Sequence, residues 1–203
     1  MVYIKDHEPV ESFLSRPASF GPHVVDEPGL PGYLIPVSSF SSTCFSPSDL
    51  VQDPDWYHKN NTGCPPLCID PAKPKPEVVP LMRENWIALV QRGDCQFLSK
   101  VRAAQGLGAK AVVVGGWKVV DGDRDDLVNM FSAGKYTNLL CQLVLILVDP
   151  TDNSTDIKIP STYVSYASYH RLMKLIASSN TTTSGLRTIS VVLRAEDSWG
   201  WFS

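Results

Sequence analysis

The pattern of apolar and polar positions divides the chain into a sparse first part and a dense second part. Trp86-Ile-Ala-Leu-Val-Gln91 is a short apolar run bounded by Asn85 and Gly93, and its length and composition predict a buried strand. From about Leu98 to Leu107 the period changes. Phe97, Val101, Ala104 and Leu107 or Gly108 fall on one face, as an amphipathic helix requires, and Gly106 and Gly108 lie where a left-handed cap residue is wanted. Ala109 to Val114 returns as a second strand, closed by Gly115 and Gly116. Strand, turn, short helix and strand make a βαβ unit, whose strands are expected to be parallel with a right-handed crossover. Further on, Thr162 to Tyr166 reads as a strand preceded by Ile159-Pro160, with Ser168 as N-cap of the helix that follows. Tyr169, Leu172, Met173 and Ile176 form that helix's core stripe. A polar turn from Ser178 to Gly185 then leads to an alternating strand, Thr188 to Leu193.

Prolines explain why the first part is sparse. Fourteen of the 16 lie in the first 80 residues, and each removes a backbone donor and fixes φ, which disfavours long helices and central strands. Residues 1–80 therefore read as a loop-rich lead-in with a few edge strands, of which 1–29 is expected to be a flexible Pro-rich segment. The compact core is placed at 81–195, and 196–203 is read as a tail. A chain of 203 residues, 43% hydrophobic and 19% charged, suits one folded domain rather than a disordered segment. The fold class expected is α/β and β-rich. Net charge is −3 with Lys and Arg scattered, so no basic stripe points to nucleic acid.

Candidate chemistry is scarce. Cys44, Cys64, Cys68, Cys95 and Cys141 are the cysteines. Cys64 and Cys68 have a C-x3-C spacing, but a zinc site needs two further ligands and the four histidines are isolated. Disulfides among Cys44, Cys64, Cys68 and Cys95 are the preferred reading, with three connectivities open. Asp121-Gly-Asp-Arg-Asp-Asp126 invites calcium, yet an EF-hand loop wants Gly sixth and Glu twelfth, where Asp126 and Ser132 stand. It is read as a solvated loop. Cys95 with His170 is set aside as a nucleophile pair, because a disulfide-bonded sulfur is no nucleophile and nothing orients the histidine. No catalytic residue, metal or cofactor is assigned. Asn60, Asn153 and Asn180 begin N-x-S/T sequons in polar segments, candidates for glycosylation.

The run from Trp86 to Phe97 with its Arg92-Gly-Asp-Cys-Gln-Phe97 turn, then Lys100-Val101, Ala103-Ala-Gln105 and Gly108-Ala-Lys-Ala-Val-Val-Val114, resembles the signature of the protease-associated (PA) domain. Ile159 to Ser165 is similar to the family's second signature, and Gly63-Cys-Pro-Pro-Leu67 to its upstream loop. The likeness runs in order over roughly residues 30–195. It implies the PA fold, a partly open β-barrel or sandwich with two short helices packed on its side, and a non-catalytic role in recognising a peptide or protein. Cys95 is placed to bridge to the Cys64–Cys68 loop. Arg92, Gly93, Asp94 and Phe97 are the ligand-contact candidates, Arg92 foremost, since sorting receptors with a similar domain use this turn for cargo peptides.

Among PA proteins the likeness is strongest to the lumenal half of membrane-anchored RING ubiquitin ligases, on the Pro-rich lead-in and the Gly-Cys-Pro-Pro-Leu-Cys loop. The alternatives are a vacuolar or lysosomal sorting-receptor fragment, or the regulatory PA domain of a subtilase or zinc aminopeptidase. The implied compartment is lumenal, in the endosome or vacuole, or extracellular. No apolar leader follows Met1, and a membrane link would need a segment beyond this sequence, since Leu139 to Val148 is far shorter than the ~20 residues of a span. The atypical insertion 134–148, holding the odd Cys141, is read either as translated intron or as an extra strand.

Overall fold

Eight strands form one mixed sheet in the computed structural model, which describes residues 1–5, 8–24, 28–38, 61–64, 85–117, 126–132, 154–179 and 188–195. They are β1 (Val2–Lys5), β2 (Glu8–Ser12), β3 (Ser15–Pro17), β4 (Leu30–Pro36), β5 (Trp86–Gln91), β6 (Ala111–Gly115), β7 (Ser161–Val164) and β8 (Ile189–Leu193). The order across the sheet is β2-β1-β8-β4-β5-β6-β7-β3. Strands β4 to β7 run parallel, and the flanking pairs are antiparallel. Two helices join them, α1 (Phe97–Gly106) and α2 (Tyr166–Ser178). This half-barrel with two short helices is the PA fold expected from the sequence.

The central strands are buried on both faces, and the period of two sorts their side chains. Trp86, Ala88 and Val90 of β5, with Val112 and Val114 of β6, pack with Leu98, Val101 and Ala104 of α1. Ile87 and Leu89, with Ala111 and Val113, pack with Tyr169, Leu172 and Ile176 of α2. The two helices therefore cover opposite faces of the sheet. Gly115 lets α2 approach, because a Cβ there would stand 2.1 Å from the Tyr169 ring.

Residues 2–17 carry three short strands. Strands β1 and β2 form an antiparallel pair that extends the sheet beyond β8, and β3 pairs with β7 at the other edge. Phe13, Ala18 and Phe20 are buried. Their apolar burial outweighs the proline penalty, and Pro9 and Pro17 sit in edge strands, where a missing donor is tolerated. Strand β4 is central despite two prolines. Pro31 lies where only β8 pairs with it, and Pro36 where only β5 does, so each proline meets a local edge. The N-cap of α2 is Ser165, whose Oγ accepts from Ser168 N at 3.2 Å; Ser168, expected to cap, is already in the first turn. The insertion 134–148 and the tail 196–203 lie outside the described residues.

Candidate functional site

The parallel register brings three strand ends together. Gln91 is opposite Gly115, and Gly115 is opposite Val164, so the residues that follow β5, β6 and β7 emerge at one edge. After β5, Arg92 N still donates to Gly115 O at 2.8 Å. The chain then reverses through Gly93 (φ 123°) and Asp94 (φ 62°), and Cys95 N donates to Gly93 O at 2.7 Å. A left-handed φ is costly for most side chains; Gly has no Cβ to clash and Asp tolerates the region. Helix α1 begins at Phe97, behind Gln96, which caps with backbone only.

Two devices fix this turn. A disulfide joins Cys95 to Cys64, with a Cα–Cα distance of 5.8 Å. It ties the turn to the loop 61–64. Behind it lies Lys100, fully buried on the inner face of α1. Its ammonium donates to Thr62 O and Gly93 O, both at 2.6 Å, and lies 3.3 Å from Cys64 Sγ. Three donors thus meet three acceptors, as a buried ammonium requires. Burial lowers its pKa to about 8, and the charge of Asp94 opposes that shift.

The outer side of the turn carries the groups that a ligand would meet. Asp94 is exposed and Arg92 partly so. Arg92 lies near enough to the Tyr163 hydroxyl, at the end of β7, for its charge to act on it. Burial raises the Tyr163 pKa, with Arg92 lowering it and Asp126 adding to the rise. The Phe97 ring meets Tyr163 edge-on, with centroids 6.4 Å apart. Trp117, two residues after β6 and 42% exposed, lies over the turn: a Cβ on Gly93 would stand 3.1 Å from its ring. The edge thus combines a cation, a carboxylate and an aromatic surface.

Arg92, Gly93, Asp94 and Phe97 therefore share one turn, and Cys64 and Cys95 are bonded. Cys44, Cys68, Asn60, Asn153 and Asn180 lie outside the described residues. Sequence reading missed Lys100, Trp117 and Tyr163 as parts of this edge. The signal for Lys100 was present, since it interrupts the apolar stripe formed by Phe97, Val101 and Ala104. His170 packs edge-on against Tyr166 and Tyr169 on α2, where burial and Lys174 lower its pKa. Among the described residues no three His, Cys, Asp or Glu side chains gather as metal ligands. No helix among them is long and apolar enough to cross a membrane. The disulfide itself indicates an oxidising, non-cytosolic compartment.

A family model described as the PA domain matches residues 48–172. A comparison with curated proteins returns no match. Among solved structures, the chain is similar to BSAP, a zinc aminopeptidase from Bacillus subtilis, at 16% identity and a TM-score of 0.46, covering 95% of this chain and 29% of that one. It is also similar to an aminopeptidase from Aneurinibacillus sp. strain AM-1, at 17% identity and a TM-score of 0.42, covering 93% and 29%. The chain thus spans less than a third of either structure's length. The family match covers more than half of the chain and takes in β5, the fixed turn, α1, β6 and β7: the chain belongs to the PA domain family.

Proposed function

We propose that this chain is a non-catalytic recognition module whose Arg92–Phe97 turn receives a peptide or protein ligand in a lumenal or extracellular compartment. The observation that carries this reading is the construction of the turn. A disulfide and a fully buried lysine hold it from behind, while Asp94 and Trp117 are exposed and Arg92 partly so. A site held rigid before binding loses less conformational freedom when a ligand arrives. The guanidinium suits a ligand carboxylate or backbone carbonyl, and the Trp117 face suits an apolar side chain. For the whole protein we favour a membrane-anchored RING-type ubiquitin ligase, supported by the resemblance of the lead-in and of the Gly63–Cys68 loop. Coding sequence downstream of Ser203 tests that part: an apolar span followed by a zinc-binding Cys/His cluster is expected, and a protease domain would contradict it. The turn is tested by selecting peptides on the wild-type chain from a displayed random library. Arg92→Ala is expected to weaken the selected peptides by tenfold or more, and unchanged affinity would end the idea.

A further inference from the structure

The lysine behind the turn also bears on the disulfide. In the bonded state its third contact is a neutral disulfide sulfur, Cys64 Sγ at 3.3 Å, a weak acceptor. The other two contacts are carbonyl oxygens at 2.6 Å, so the ammonium is held in place whatever the state of the sulfur. Were Cys64 released as a thiolate, that same position would place a full negative charge against the ammonium. The gain exceeds that of an exposed pair, because a half-buried ion pair is less screened than one in open water. Cys95 has no such partner among its described contacts, and its neighbour Asp94 is exposed. The two sulfurs therefore differ as leaving groups: the sulfur whose thiolate is more stable leaves faster. Both cysteines are partly exposed, so a small thiol can reach the bond.

We propose that Cys64–Cys95 is an exchangeable disulfide, a redox modification site opened by a dithiol reductant that attacks Cys95 Sγ and expels Cys64 as a thiolate held by Lys100. The first thiolate of the reductant forms a sulfur–sulfur bond to Cys95 as the Cys64–Cys95 bond breaks, and the bonding pair leaves on Cys64. The second thiol of the reductant gives up its proton and displaces Cys95, which leaves as a thiolate and is protonated. The dithiol is oxidised by two electrons to its own disulfide, and the protein disulfide is reduced by two. Cys64 remains ionised beside Lys100, so one of the reductant's two protons ends on Cys95 and the other in solvent. Opening the bond frees the loop 61–64 from the turn at one of its two fastenings. No peptide ligand is required, so the proposal stands or falls independently of the recognition reading.

The test begins on the wild-type chain with glutathione as a monothiol probe, followed by acid quenching and peptide mapping. Glutathione is expected on Cys95; finding it on Cys64, or on neither before the chain unfolds, would overturn the proposal. The second arm reduces the chain with dithiothreitol and follows Cys64 alkylation by iodoacetamide against pH. The expected midpoint lies a unit or more below the ordinary thiol value of about 8.5, and a midpoint at or above it is fatal. The third arm equilibrates wild type and Lys100→Met in dithiothreitol redox buffers. The variant is expected to be at least tenfold harder to reduce, about 30 mV for a two-electron couple. An unchanged midpoint contradicts the account. Should Lys100→Met fail to fold, the first two arms decide on wild type alone.

Discussion

Two strand–helix junctions lie at the same end of the sheet, with β6 between them, and they are built differently. Strand β7 passes into α2 through the single residue Ser165, whose side chain caps the helix. Strand β5 passes into α1 through five residues, two with positive φ, and α1 has no side-chain cap at all. The first junction shows that one capping serine is enough to turn a parallel strand into a helix here. The extra apparatus at the second, a disulfide and a buried lysine, therefore serves the shape of the turn and not merely the connection. That contrast is the physical basis for reading Arg92–Phe97 as a contact surface and Ser165 as architecture.

Substitutions that attack each junction should separate the two roles. Cys95→Ser is expected to have the largest effect. A bond closing 31 residues of sequence contributes about 3.7 kcal/mol by loop entropy, so the denaturant midpoint should fall markedly, and an unchanged midpoint would mean the bond restrains nothing. Lys100→Met comes next. It removes the ammonium's hydrogen bonds to the carbonyls of Thr62 and Gly93, at a cost of about 2 kcal/mol, and amide exchange should rise at 61–64 and 92–96 more than in α2. At the plain junction, Ser165→Ala removes one cap, worth about 1 kcal/mol. It should leave the binding of library-selected peptides as it was; loss of binding there would blur the comparison.

A smaller and more diagnostic effect concerns pH. Lys100 titrates at about 8 in the folded chain and near 10.4 when unfolded. Between those values the unfolded chain holds more protons than the folded one, so stability contributed by this group rises as pH rises through that window. Urea midpoints at pH 7, 8 and 9 should therefore climb in wild type relative to Lys100→Met. A parallel pair of curves would show that burial does not depress this lysine.

Period and length made the central unit readable. Strands β5 and β6 and both helices follow from runs of apolar residues at spacings of two and of three to four, because these elements bury whole faces. Strands β1 to β3 were hidden for the opposite reason. They are three to five residues long, and the residues that anchor this region, Phe13, Ala18 and Phe20, lie between or beyond the strands. Strand β4 was masked by Pro31 and Pro36, whose tolerance depends on which neighbour pairs at each end, a property of the sheet register alone. In the site, the turn itself was legible from its Arg-Gly-x-Cys-x-Phe pattern. Its partners were not. Tyr163 and Trp117 reach the turn only because Gln91, Gly115 and Val164 are in register, and Lys100 shows its role only once the loop 61–64 lies beside α1.

The contact role of the turn is tested most directly by isothermal titration of a library-selected peptide into wild type, Arg92→Ala and Ser165→Ala, with thermal unfolding of each recorded in parallel. The account predicts that Arg92→Ala loses at least tenfold in affinity while its unfolding temperature stays close to wild type, and that Ser165→Ala does the reverse. Equal affinity of Arg92→Ala and wild type would contradict it.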